Sequence, residues 1–87
     1  MTEKKWYVYI LRCGDGSLYT GITDDVQRRL EMHRSGKGAK YTRGRSPLEL
    51  VHEEEWETKS QAVHREAEIK SMTRQQKLGL LERKEEE

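Results

Sequence analysis

Two short apolar segments separated by a glycine-rich turn begin this chain, and they limit the folds available to it. Residues 6–12 (WYVYILR) and 17–22 (SLYTGI) are rich in aromatic, aliphatic and β-branched side chains, which suit a pleated, half-buried strand better than a helix. Gly14, Asp15 and Gly16 lie between the segments and tolerate the positive φ that a tight turn requires. The sequence therefore predicts an N-terminal β-hairpin.

A helix is predicted after the hairpin. Thr23 or Asp24 can cap its N-terminus, where Asp24 and Asp25 also complement the positive end of the helix dipole. Gly36 and Gly38 mark its C-terminal end. Side chains at helical spacing form its buried face, namely Val26, Leu30 and either His33 or Arg34.

A third strand and two more helices are predicted in the second half of the chain. Residues 48–56 contain enough apolar side chains for a strand, and their glutamates suit an exposed sheet edge. Thr58 with Gln61, and Thr73 with Gln76, match the spacing of a capping box, so helices should begin near residues 58 and 72. We expect one α+β domain over residues 1–87, frayed at 1–5 and 84–87. In it, a small three-stranded antiparallel sheet is flanked by about three helices in the order β-β-α-β-α-α.

The order and spacing of several motifs resemble those of the GIY-YIG nucleases, and the resemblance covers nearly the whole chain. The matching motifs are Tyr7-Val8-Tyr9, Tyr19-Thr20-Gly21, Arg29 ten residues after Tyr19, the segment GAKYTRGRSPLEL, and the ExxIK pattern of Glu66 to Lys70. Tyr9 and Tyr19 stand at the two tyrosines of the family signature. The last two motifs are similar to the small stand-alone bacterial-type members of the family. The resemblance implies a GIY-YIG nuclease-like fold and an endonuclease activity.

The resemblance requires the two tyrosines to share one face of the sheet, and the length of the hairpin loop decides this. A two-residue turn at Asp15 and Gly16 would place Tyr9 and Tyr19 on opposite faces, because side chains alternate along a strand. A three-residue loop from Gly14 to Gly16, with a glycine bulge, pairs Leu11 with Tyr19 and places both tyrosines on one face. We therefore expect the three-residue loop.

The resemblance implies catalytic roles for five residues, which are Tyr9, Tyr19, Arg29, His33 and Glu66. Arg29 would hold the scissile phosphate, because its planar guanidinium matches phosphate oxygens. Glu66 would bind one divalent metal ion, Mg²⁺ or Mn²⁺, which keeps several waters and takes further ligands from substrate phosphates. The implied reaction is metal-dependent hydrolysis of phosphodiester bonds in DNA, in repair or recombination, with low intrinsic sequence specificity.

The general base is expected to be Tyr19, with Tyr9 as its hydrogen-bonding partner. A tyrosine with an ordinary pKa of about 10 is a poor base at neutral pH, so nearby cations or the metal must favour the phenolate. His33 lies one helical turn beyond Arg29, and three roles are open to it, as the base, as a phosphate contact, or as a structural residue.

The sequence departs from the family pattern at three strand positions. Tyr7 replaces the first glycine of the signature and Thr20 replaces an isoleucine, both at positions where a strand tolerates the change. Ile22 stands where the excision-repair members of the family have a lysine. If that lysine assists the tyrosine in those proteins, another group such as Lys40 must do so in this chain.

Charge is segregated along a chain whose net charge is only +1. Residues 28–45 carry seven Lys or Arg and one Glu, a net +6, whereas residues 46–57 carry five Glu and no Lys or Arg, a net −5. The basic segment can follow a phosphate backbone, or it can be a solvated face balanced by the acidic segment. The candidate nucleic-acid-binding residues are Arg28, Lys37, Lys40, Tyr41, Arg43 and Arg45. Tyr41 can stack on an unpaired base or cover the edge of the core.

Composition excludes several other classes of protein. A single cysteine, Cys13, excludes an intramolecular disulfide and a Cys-based zinc site and fits a reducing cytoplasm. His52 and His64 form no zinc set with His33, and we expect both at the surface. No apolar run approaches the ~20 residues of a membrane span, and the start MTEKK lacks the apolar region of a signal peptide. We expect a soluble cytoplasmic protein with no membrane partner.

Two other interpretations compete with the nuclease. A nucleic-acid-binding module without catalysis would need only the positive surface and would not need two tyrosines, an arginine and a glutamate. A protein-interaction domain would use the acidic residues 53–57 and would bind nucleic acid negligibly even at low salt. Because one basic loop offers few base contacts, sequence specificity would have to come from a protein partner or a dimer.

Overall fold

The structure is a computed structural model that describes residues 4–85, with the side chains of residues 4–81. Its elements are β1 (Trp6–Arg12), β2 (Leu18–Thr23), α1 (Val26–Arg34), a 3₁₀ turn (Lys40–Thr42), β3 (Glu49–Trp56), α2 (Lys59–Lys70) and α3 (Arg74–Glu85). The predicted α+β fold and the order β-β-α-β-α-α are confirmed. The fraying predicted for residues 1–3 and 86–87 lies outside the described residues, and α3 includes residues 84 and 85.

The hairpin closes with the expected three-residue loop. The backbone N–H of Cys13 donates to the carbonyl of Ser17 at 2.9 Å, and Gly16 adopts a φ of 86°. This φ lies in the left-handed region that glycine enters at little cost. Leu11 therefore pairs with Tyr19, as predicted, and both tyrosines of the motif lie on one face of the sheet.

The three strands form one antiparallel sheet in the order β2-β1-β3, with helices on both faces. On one face, Val8 and Ile10 pack against Ala62 and Ile69 of α2, and side chains of α3 extend this cluster. On the other face, Tyr9 and Leu11 pack against Leu30 of α1. The sheet thus separates a larger apolar core from a smaller one that contains the tyrosines. None of the helices within residues 4–85 is long and apolar enough to cross a membrane.

The start of α1 differs from the prediction by one to two residues. The side chain of Asp25, rather than Thr23 or Asp24, accepts a hydrogen bond from the N–H of Arg28 at 3.1 Å and caps the helix. The reason is that β2 continues to Thr23, whose hydroxyl accepts from the N–H of Asp25 at 3.1 Å. Of the two candidates for the buried face, His33 is the buried one.

The predicted helix caps in the second half are confirmed. Thr58 and Gln61 form a complete capping box, in which the Thr58 hydroxyl accepts from the Gln61 N–H at 3.1 Å. Gln76 likewise accepts from the Thr73 N–H at 2.9 Å. β3 lies at an edge of the sheet, where its glutamates were expected.

The prediction that His52 lies at the surface is wrong, whereas His64 is exposed as expected. The register of β3 places His52 opposite Ile10, on the face covered by α2, and its side chain is only 7% exposed. Its Nε2 pairs with Glu54 at 2.9 Å, and Arg65 of α2 binds both oxygens of that carboxylate at 2.9 Å. Burial raises the pKa of Glu54, but the hydrogen bonds from Arg65 and His52 outweigh it and hold that pKa below its usual value.

Thr20 offers a stability test that leaves the tyrosine face untouched. Its side chain is 3% exposed, faces the α2 side of the sheet with Ile10, and its hydroxyl has no hydrogen-bond partner among the described residues. We expect Thr20→Val to raise the free energy of unfolding by about 1 kcal/mol, because it removes an unpaired buried hydroxyl. Urea denaturation measures this change.

The matched control is Thr42→Val, at a threonine that is equally buried but bonded to His33 and Ala39. We expect this change to lower the free energy of unfolding by about 1–3 kcal/mol, because it removes both hydrogen bonds. A lower midpoint for Thr20→Val would contradict the unpaired state of its hydroxyl.

Candidate active site

Tyr9 of β1 and His33 of α1 form the buried centre of the tyrosine face. Each is 2% exposed, and the Tyr9 hydroxyl lies 2.9 Å from Nε2 of His33. The ring of Tyr19 lies beside both, with its centroid 5.3 Å from that of His33 and 6.3 Å from that of Tyr9. The expectation that Tyr9 bonds to Tyr19 is therefore corrected, since the recorded partner of the Tyr9 hydroxyl is His33.

The other ring nitrogen of His33 is also bonded. Its Nδ1 lies 2.9 Å from Oγ1 of Thr42, which in turn donates to the carbonyl of Ala39 at 2.9 Å. A continuous chain of hydrogen bonds therefore runs from Tyr9 through His33 to the 3₁₀ turn. With both nitrogens bonded and the ring buried, His33 can affect a substrate only through its partners.

The environment fixes the protonation states of this pair at neutral pH. Burial raises the pKa of Tyr9 to about 12, a hydrogen bond from Arg29 opposes the rise, and the charges of Tyr19 and Glu66 add to it. Burial, followed by the positive charge of Arg29, lowers the pKa of His33 below its usual value. Tyr9 is therefore a neutral phenol and His33 a neutral imidazole.

Arg29 supplies the positive charge of the site. It lies on α1 one turn before His33, is partly buried, and lies near enough to the Tyr9 hydroxyl to lower its pKa. No described carboxylate forms an ion pair with it, so its charge is available to an anion. Arg28 is exposed, and both arginines line a cavity of about 280 Å³ with Asp24, Asp25, Thr23 and Met32.

Glu66 lies on the helix that covers the other face of the sheet. It lies on α2 between the buried Ala62 and Ile69, its side chain is 21% exposed, and its charge acts on Tyr9. Its ion-pair partner is Lys70, at 3.3 Å. Within residues 4–81, no three His, Cys, Asp or Glu side chains form a metal-binding group. A single carboxylate such as that of Glu66 can hold Mg²⁺ when water and substrate phosphates supply the other ligands.

The basic loop, which comprises residues 37–47 between α1 and β3, is held against the hairpin turn and the tyrosines. The ring of Tyr41 stacks on Tyr19, with centroids 5.7 Å apart, and remains 42% exposed. The Arg45 guanidinium lies 4.3 Å from the Tyr41 ring and pairs with Asp15 of the turn. Tyr41 therefore covers the edge of the tyrosine cluster while part of it stays accessible. The other predicted binding residues of the loop, all exposed, are Lys37, Lys40 and Arg43.

Three residues to which the sequence assigned no role in the site also shape it. Thr42, within the GAKYTRGRSPLEL motif, bonds to His33. A Cβ on Gly21 would lie 2.6 Å from the Tyr9 hydroxyl oxygen, and one on Gly38 would lie 2.8 Å from Cγ of His33. Glycine at these positions therefore makes room for the two rings. Gly21 is part of the Tyr19-Thr20-Gly21 motif in β2, and this motif was the sequence signal that could have identified its role.

The combination of this fold with this site has a counterpart among known proteins. A family model described as the GIY-YIG catalytic domain matches residues 5–79. The chain belongs to the GIY-YIG family. Such domains are typical of endonucleases, which act on nucleic acid and typically use divalent metals. The predicted resemblance is thereby confirmed at the level of the family.

The relatives of this GIY-YIG domain are of similar length. A UPF0213 protein of Staphylococcus epidermidis is 56% identical over 78 residues, which are 90% of this chain and 95% of that protein. A UPF0213 protein of Haloquadratum walsbyi is 59% identical over 76 residues, 87% of this chain and 85% of that protein. The solution NMR structure of a UPF0213 protein from Bacillus halodurans is 51% identical, with a TM-score of 0.60, over 90% of this chain and 83% of that one.

Gly21→Ala tests the packing of Tyr9. We expect it to lower the free energy of unfolding by about 1–3 kcal/mol, because the added methyl overlaps the Tyr9 ring and forces it to move. Urea denaturation gives the energy, and the ring signals of Tyr9 and His33 in NMR spectra should shift. The control is Gly79→Ala, where no atom lies within 4 Å of the added Cβ. It should stabilise α3 by about 0.5–1 kcal/mol. Equal effects of the two substitutions would refute the close contact.

Proposed function

We propose that this protein is a metal-dependent endonuclease that hydrolyses phosphodiester bonds in DNA with low intrinsic sequence specificity, acting in the cytoplasm in repair or recombination. One observation carries the proposal. The Tyr9 hydroxyl of β1 bonds to His33 of α1 beside the ring of Tyr19 from β2, and the charges of Arg29 and Glu66 act on it. A surface that only bound nucleic acid would not need this arrangement.

Arg29 would hold the scissile phosphate. Phosphodiester hydrolysis builds negative charge on the phosphate oxygens in the transition state, and a fixed guanidinium stabilises that charge. Arg29 is placed by α1 near the Tyr9 hydroxyl, and no described carboxylate forms an ion pair with it. The cavity beside it, which Arg28 also lines, can receive a neighbouring part of the backbone.

Glu66 would hold one Mg²⁺ or Mn²⁺ ion. The ion, when bound, supplies a Lewis acid for the phosphate and lowers the pKa of a bound water. Glu66 suits this role because it is partly exposed and, within residues 4–81, its ion-pair partner is the exposed Lys70 at 3.3 Å. A single carboxylate gives weak affinity, so we expect metal binding to depend on nucleic acid.

Tyr9 is the tyrosine best placed to accept a proton from the attacking water. Its hydroxyl is bonded to the neutral imidazole of His33, so Tyr9 can pass its own proton to His33 as it receives one from water. This route needs no free phenolate, which the raised pKa of Tyr9 disfavours. We therefore assign the proton transfer to Tyr9 in place of the expected Tyr19, and a positioning role to Tyr19.

We infer that His33 takes the place of the lysine that this chain lacks at position 22. Ile22 is apolar and packs against the core on the α2 face. Lys40, the suggested substitute, is exposed. The group bonded to the tyrosine hydroxyl in this chain is the imidazole of His33.

The nucleic-acid-binding module remains the second candidate. It is favoured by the exposed basic side chains of the loop and by the partly accessible Tyr41 ring, which can contact phosphates and stack on a base without any chemistry. A protein partner or a second copy of the chain would supply specificity in either case. The two candidates differ in whether bonds are broken.

Cleavage of labelled single-stranded, duplex and branched DNA with Mg²⁺ or Mn²⁺ tests the proposal. We expect metal-dependent cleavage that Arg29→Ala and Glu66→Gln each reduce by at least about 100-fold, because each removes a group that stabilises the transition state or holds the metal. Chelation with EDTA should abolish cleavage by the unaltered protein.

Two substitutions outside the site serve as matched controls. Arg12→Ala removes an equal charge from an exposed site paired with Glu49, and Glu68→Gln makes the same chemical change as Glu66→Gln on an exposed part of α2. Both should cleave normally. Salt-sensitive binding without cleavage would support the binding module, and equal cleavage by all variants would identify a contaminating nuclease.

The pH dependence of cleavage should report the protonation of His33. Its pKa is lowered, so the imidazole is neutral at pH 7 and becomes protonated only as the pH falls below its usual value of about 6.5. Protonated His33 cannot accept from Tyr9, and we expect the single-turnover rate to fall on the acid side and to level off near neutrality. Measured at saturating Mg²⁺, His33→Gln should be slow and should lose this acid limb. An unchanged limb in His33→Gln would assign the titration to another group.

A further inference from the structure

The hydrogen-bond chain that ends in the 3₁₀ turn restricts where its protons lie. A threonine hydroxyl has one hydrogen, and that of Thr42 is donated to the carbonyl of Ala39 at 2.9 Å. Toward His33, the same oxygen lies 2.9 Å from Nδ1 and has only lone pairs to offer. With that hydrogen directed at Ala39, the hydrogen between Thr42 and His33 belongs to Nδ1, which leaves Nε2 as the acceptor for the Tyr9 hydroxyl.

The opposite tautomer is less favourable in this setting. With the hydrogen on Nε2, His33 would donate to Tyr9, and Thr42 would have to turn its hydrogen from Ala39 to Nδ1. The Tyr9 hydroxyl hydrogen would then lack an acceptor among the described residues, since His33 is its recorded partner. An unpaired hydroxyl is costly at a side chain that is 2% exposed.

We infer that Thr42 is a positioning residue for the proposed reaction, which holds His33 in the tautomer that lets Nε2 receive the Tyr9 proton. This inference rests on the proposed function for its catalytic meaning, although the tautomer itself does not. It makes the basic loop part of the catalytic machinery as well as a candidate binding surface, because Thr42 lies between Tyr41 and Arg43 in that loop.

The surroundings of His33 support a fixed, neutral ring. The titratable and charged groups that face it are Tyr9 from β1, Tyr19 from β2 and Arg29 from its own helix. The positive charge of Arg29 disfavours an imidazolium beside it. Gly38 packs against the ring closely enough that a Cβ there would overlap it, and Thr42 itself is 1% exposed.

NMR of the free protein tests the tautomer without any assay of cleavage. In a long-range ¹H–¹⁵N correlation spectrum of the unaltered protein, His33 should show a protonated, pyrrole-type Nδ1 and an unprotonated, pyridine-type Nε2. Thr42→Val should shift the population toward the other tautomer, and Thr42→Ser, which keeps the hydroxyl, should not. Thr20→Val, the same change at a buried threonine on the opposite face, should leave the His33 signals unchanged.

Cleavage by the same variants tests the catalytic meaning. Thr42→Val should lower kcat by about 10–100-fold, because it disturbs but does not remove a proton acceptor that contributes about 10²–10⁴-fold, with little change in KM. Thr42→Ser should recover most of the rate. Thr20→Val should cleave like the unaltered protein.

The outcomes distinguish the tautomer of His33 from the catalytic role of Thr42. A pyrrole-type Nε2 in the unaltered protein would overturn the inference even if cleavage is observed. Normal kcat in a folded Thr42→Val whose tautomer has changed would overturn its catalytic meaning. A protein that has the expected tautomer but never cleaves would refute the proposed function and leave the role of Thr42 in holding the ring intact. If Thr42→Val does not fold, the unaltered protein and Thr42→Ser still decide the tautomer.

Discussion

The register of the N-terminal hairpin is the constraint on which the rest of this structure depends. Because side chains alternate along a strand, a change of one residue in the Gly14–Gly16 loop would move Tyr19 to the opposite face from Tyr9. The observed loop instead places Gly21 directly opposite Tyr9, and the absence of a side chain there gives the Tyr9 ring its space. Helix α1 then covers this face and brings His33 to the Tyr9 hydroxyl.

The sheet separates two kinds of polar interaction. On the α2 side, Arg65 binds both oxygens of Glu54, which also pairs with His52, so charge is neutralised within the fold. On the α1 side, Arg29 has no described carboxylate partner and His33 is neutral. A positive charge without a partner beside a chain of oriented hydroxyl and imidazole groups is suited to an anionic substrate. Among the described residues, the α2 face therefore pairs its charges within the fold, whereas Arg29 on the α1 face has no ion-pair partner.

Local chemistry explains the parts of the fold that could be predicted. The hairpin loop follows from glycine at the turn, and the starts of α2 and α3 follow from Thr and Gln three residues apart, whose hydrogen bonds form within one helical turn. The N-cap of α1 was predicted at the wrong residue because β2 extends to Thr23. This extension depends on strand pairing with β1, which local preference does not reveal. His52 was misjudged for the same reason, since its burial depends on a partner in β1 and on α2.

The sequence by itself determined the order of the elements, the family, and the spacing of Tyr9, Tyr19, Arg29 and Glu66. These features depend on local residue patterns and on their order along the chain. Only the tertiary structure decided which groups bond to one another. His33 and Thr42 are nine residues apart with no periodic relation, and their contact arises when the 3₁₀ turn packs onto α1. Tyr9 and His33 meet across 24 residues for a similar reason. Hydrogen bonds depend on distances and directions in space, and a linear spacing fixes these only within a single helix or turn.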